Sequence, residues 1–120
     1  MSAHQMICHL ADALNVAMGE KTVTPASGAL QRTVIKWIAL YLPVHWPAGI
    51  PTPLEIDQQV GGTRPHEFDS DVARVESLLQ RFTQSTASRA EHPIFGRMSE
   101  RAWLRWAYLH ADHHLRQFDA

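Results

Sequence analysis

Phe68, Val72, Val75, Leu79 and Phe82 follow one another in steps of four and three, with mostly polar residues between them. That spacing lays one apolar line along one face of an α-helix, the pattern of a bundle seam. It predicts a helix from about Glu67 to Thr83. Other segments read the same way. Ser2 and Gln5 have capping-box spacing and Met1 and Met6 the positions of a hydrophobic staple, so a helix starts at Ala3. Its apolar line is Met6, Leu10, Ala13, Leu14, Ala17 and Met18, and Gly19 supplies a stop. A further helix is expected over Ala29 to Leu42, with Leu30, Val34, Trp37, Ile38 and Tyr41 inward and Pro43 ending it. A fourth begins after Ser99, an N-cap with Glu100 in the first turn and Met98 placed to staple onto Trp103, and runs to about Phe118. Between Pro43 and Pro65, repeated prolines and glycines forbid a regular element, and a loop is expected from Gln84 to Arg97. Nothing alternates with period two for long enough to make a sheet. The expectation is an all-α chain forming one four-helix domain over residues 1–120.

Composition narrows the function. Eleven Lys and Arg against twelve Asp and Glu leave a formal charge of -1, no field for a nucleic acid or an anionic membrane. No stretch reaches the length of a membrane span, and the first twenty residues have no basic leader. Cys8 is the single cysteine, which excludes an internal disulfide and a Cys-rich zinc site and suits the cytoplasm. The unusual feature is eight histidines, with His110, His113 and His114 clustered near the end.

His110 and His114 stand four apart, so they project from one face of the last helix, one turn apart, in a stripe with Trp103 and Ala107. Two imidazoles so placed can grip one ion. A third ligand must come from another helix, and His9 lies beside Met6, Leu10 and Ala13 on the apolar side of the first. Three neutral nitrogens with an open position would be the form of a catalytic metal site. Spacing leaves His113 as an alternative, because it also neighbours His110 along the helix; it reads equally as a donor behind the ligands or as an interface residue. Histidines at helical spacing are also ordinary core or surface residues.

The segment His110-Ala-Asp-His-His-Leu-Arg-Gln117 resembles the C-terminal signature of the DinB-like superfamily. His92-Pro-Ile-Phe-Gly-Arg-Met-Ser99 and Cys8-His-Leu-Ala-Asp12 resemble one bacterial branch of it, a domain of unknown function. The resemblance spans nearly the whole chain. It implies a four-helix bundle holding one divalent ion, zinc or nickel for imidazole ligands, through His9, His110 and His114. It implies either a metal-dependent hydrolase or a thiol S-transferase using a small thiol. The alternative is a binding or interaction protein with a structural ion. The chain departs from the superfamily in starting where the helix upstream of the first histidine should end. A bundle missing that wall would expose a groove along Leu10, Leu14 and the Val75 to Phe82 seam, and a homodimer would cover it.

Four further residues are candidates beside the ligands. Asp12, three residues after His9, could orient it as a carboxylate behind the metal. Gln117, after His114, could supply a donor to substrate. His113 is the third histidine of the cluster. His92 precedes Pro93 in a loop and could serve as acid or base, although a surface histidine is the plainer reading. Cys8 reads as a small core residue, and His4, His45 and His66 have no partner at ligand spacing.

Overall fold

The computed structural model of the chain describes residues 1–26, 28–47, 52–84 and 89–120. Among them every regular element is helical: α1 (Ala3–Ala17), a π-helical turn (Gln31–Ile35) that runs into α2 (Lys36–Tyr41), α3 (Phe68–Phe82) and α4 (Glu100–Arg116). Two compact units divide the chain, each made of two separated stretches: Met1–Val23 with Thr52–Ala90, and Thr24–Pro51 with Glu91–Ala120.

The first unit packs α1 against α3. The capping box forms as the sequence predicts: Ser2 Oγ accepts from the Gln5 backbone N–H, and Gln5 Oε1 accepts from the Ser2 N–H. Gly19, with φ +77°, takes the left-handed conformation that ends the helix. Burial goes well beyond the predicted stripe and includes Cys8, His9, Ala11, Asp12 and Val16. On α3, Glu67 caps by accepting from the N–H groups of Asp69 and Ser70, and those hydrogen bonds hold its carboxyl below the usual range. The predicted seam is kept at Val75 and Phe82 and lost at Phe68, which is exposed. Leu78 and Leu79 flank the Val75 to Phe82 line on opposite sides; Leu78 is buried and Leu79 half-buried. Leu10, Leu14, Val75 and Phe82 are all buried, so the open groove expected along them is not there.

The second unit packs α2 against α4. Here the sequence reading of Ala29 to Leu42 needs correcting. The π-helical turn widens the helix by one residue and puts the following residues out of phase with a regular 3.6-residue repeat. Leu30, Val34 and Trp37 are each more than half exposed, while Leu40, absent from the predicted stripe, is fully buried. Carbonyls near the end of α2 are held by side chains: Trp46 Nε1 donates to Ala39 O and Arg105 Nε to Leu40 O. Leu42 is extended, as the residue before Pro43 must be. On α4, Ser99 Oγ accepts from the Ala102 N–H, and Trp103 and Trp106 are buried. The expected loop from Gln84 to Arg97 lies partly outside the described residues; its second half makes a turn closed by reciprocal His92 and Gly96 backbone hydrogen bonds.

Candidate functional site

His9 belongs to the first unit. It is held on α1 and is only 4% exposed. Its Nδ1 lies 3.0 Å from the carbonyl oxygen of Ile56. A carbonyl can only accept, so Nδ1 carries the ring proton and Nε2 carries the lone pair. A metal-ligating imidazole is prepared in this way, by a backbone carbonyl that fixes tautomer and ring orientation. The carboxylate expected to do this does something else. Asp12, 1% exposed, accepts from Thr63 N at 2.7 Å and Thr63 Oγ1 at 2.6 Å and faces Lys21 Nζ at 3.4 Å. It ties the segment after Gly62 to α1, and the Ile56 carbonyl orients His9.

In the second unit, α4 brings His110 and His114 together, with ring centroids 4.7 Å apart and planes perpendicular. His110 is stacked on Trp106, and Trp46 lies obliquely against His110 and His113. These aromatic walls limit the rotation of the rings. Gln117 contributes at the end of the helix. Its Oε1 lies 3.3 Å from His114 Nδ1 and its Nε2 lies 3.4 Å from His113 Nε2. The amide therefore accepts from His114 Nδ1–H and donates to His113 Nε2. This leaves the lone pair of His114 on Nε2 and uses that of His113 within the helix. Of the two helical neighbours of His110, His114 is the one whose Nε2 keeps its lone pair.

His92 contradicts the surface reading. It is 8% exposed, stacked on Phe95, and set against Trp103 and Trp106. Its Nδ1 accepts from the N–H groups of Ile94 and Phe95, and burial pushes its pKa down to about 4. It is a neutral clamp of the turn.

One cluster was missed in the sequence. In the first unit, His4 Nε2 lies 2.7 Å and Cys8 Sγ 3.7 Å from the same oxygen, Asp71 Oδ2, which also accepts from the His66 N–H. The hydrogen bond from His4 holds the Asp71 carboxyl below the usual range. Burial, and then the nearby Asp71 charge, push the Cys8 thiol up to about 11. The available signal was the four-residue spacing of His4 and Cys8; Asp71 is remote in sequence and comes from another helix.

The family described as a protein of unknown function (DUF1569) matches residues 2–120. The chain belongs to that family. No curated protein and no solved structure matches it. The match runs through both compact units, and among the described residues no helix is long and apolar enough to cross a membrane.

Proposed function

We propose that this DUF1569 protein is a metal-dependent enzyme of DinB-like type, in which His9, His110 and His114 hold one divalent ion, zinc or nickel. As a donor set these three histidines could hold a metal ion. The observation that carries the reading is the tautomer of His9: donation from Nδ1 to the Ile56 carbonyl keeps the lone pair on Nε2, and Gln117 acts on His114 in the same sense. His110, fixed between Trp106 and His114, completes the set.

With one coordination position left for water or a thiolate, the bound ion would supply Lewis-acid chemistry, for hydrolysis or for transfer to a small thiol. The chain's own residues bind and orient. Ile56 and Gln117 fix the ring planes, and the aromatic side chains of the second unit keep water from the back of His110. The second reading, a structural ion without turnover, is supported by His92, whose buried Nδ1 already accepts from two backbone N–H groups and has no acid or base work to do.

The same reading includes a four-helix bundle forming one domain, a cytoplasmic location suited to the single cysteine, and a homodimer. The dimer is supported by the exposed apolar side chains of Leu30, Val34 and Trp37. Sedimentation at micromolar concentration tests it; a folded monomer overturns it. Metal content of purified protein tests the site. About one ion per chain is expected at this site, lost in His114→Ala, and metal content unchanged by alanine at each of the three positions overturns the assignment. Turnover of ester, amide and thiol substrates then separates the enzyme from the structural ion.

A further inference from the structure

We propose that the first compact unit carries a second metal site, formed by His4 and Cys8 of α1 and Asp71 of α3, which takes a zinc-class ion and clasps the two helices together. It is independent of the three-histidine reading.

One nitrogen, one sulfur and one oxygen, each an ordinary zinc ligand, lie within 4.8 Å of one another here. Two come from one helix. His4 and Cys8 are one turn apart on α1, and Asp71 sits in the first turn of α3. A tetrahedral zinc, with bonds of about 2.0 Å to nitrogen or oxygen and about 2.3 Å to sulfur, spaces its ligand atoms about 3.3 to 3.5 Å apart. Cys8 Sγ and Asp71 Oδ2, at 3.7 Å, are already close to that spacing. His4 Nε2, at 2.7 Å from the same oxygen, has to retreat by roughly half an ångström for such an ion to enter.

Access and charge agree with this. Cys8 is buried, but the His4 and Asp71 side chains are 25% and 14% exposed, so an ion and a fourth ligand from solvent can approach from their side. Binding releases the Cys8 thiol proton to solvent and moves the His4 ring proton from Nε2 to Nδ1. The thiolate and carboxylate then balance the two charges of the ion. The single thiolate selects for zinc-like ions over magnesium or calcium, which prefer all-oxygen sites. His66, whose N–H donates to Asp71 Oδ2, holds the carboxylate in place from the segment before α3.

Cobalt(II) added to the full-length, metal-stripped chain is the test, because only a thiolate ligand gives an intense near-ultraviolet charge-transfer band and a three-histidine site cannot. The band is expected to reach full height by two equivalents in the unaltered chain and by one in His110→Ala/His114→Ala, and to vanish in Cys8→Ser. His4→Ala and Asp71→Asn, at partly exposed positions, should each weaken cobalt binding by about tenfold or more, and these two decide the matter if Cys8→Ser fails to fold. No band at saturating cobalt, or a band whose midpoint neither His4→Ala nor Asp71→Asn moves, overturns the proposal. Loss of metal at the three histidines with the band intact would leave this site standing and overturn only the other.

Discussion

His9 and His92 are both buried histidines, one in each compact unit, and they are wired in opposite senses. His9 Nδ1 donates to the Ile56 carbonyl, while His92 Nδ1 accepts from two backbone N–H groups. The first keeps its lone pair on Nε2; the second keeps a proton there. Burial alone therefore does not mark a metal ligand. What the backbone offers Nδ1 decides it, a carbonyl in one unit and the N–H groups of a tight turn in the other.

The sharpest way to break this comparison is to remove each ring in turn. His9→Ala should abolish binding at the three-histidine site, measured as one ion per chain lost after dialysis relative to the unaltered protein. His92→Ala should leave the metal in place and cost about 3 kcal/mol of stability in denaturant melts, from the cavity beside Trp103 and Trp106 and the two N–H groups left without an acceptor. Equal metal loss in both variants would mean the tautomer argument has no force.

Acid should act on the His92 side. Its folded pKa of about 4 lies below the ordinary value of 6.5, so the unfolded chain takes up the proton first. The stability is fully present above about pH 6.5 and is lost as the pH falls toward 4, on the order of 3 kcal/mol in all. His92→Asn keeps an acceptor near the Nδ1 position and removes the titration. Chemical melts across this window should show a flatter profile for that variant, and identical profiles would sink the prediction.

Gln117→Ala should weaken metal affinity by about tenfold, since it releases His114 from its fixed orientation without removing a ligand. A competitive chelator titration measures it, and an unchanged affinity would show that Gln117 does not position the ring. The smallest effects belong to the helix caps. Ser2→Ala in the first unit and Ser99→Ala in the second should each cost about 1 kcal/mol in thermal or denaturant melts. A loss in one unit only would show that the other helix start is held by packing.

The helix ends were legible in the sequence because their causes are local: the Ser2 and Gln5 box, the Ser99 cap, Gly19 and Pro43 each act within a few residues. The pairing of His110 and His114 was legible for the same reason, since one turn of helix fixes it. Tertiary structure alone decided the rest. A π-helical turn, which no local pattern announced, moved burial from the Leu30, Val34 and Trp37 line to Leu40. Asp12 found Thr63 and His9 found the Ile56 carbonyl, partners more than forty residues away in the chain. His4 and Cys8 met Asp71 because α1 packs on α3. Each of these depends on which backbone group comes within hydrogen-bond reach once the chain is packed, and sequence spacing carries no record of that distance.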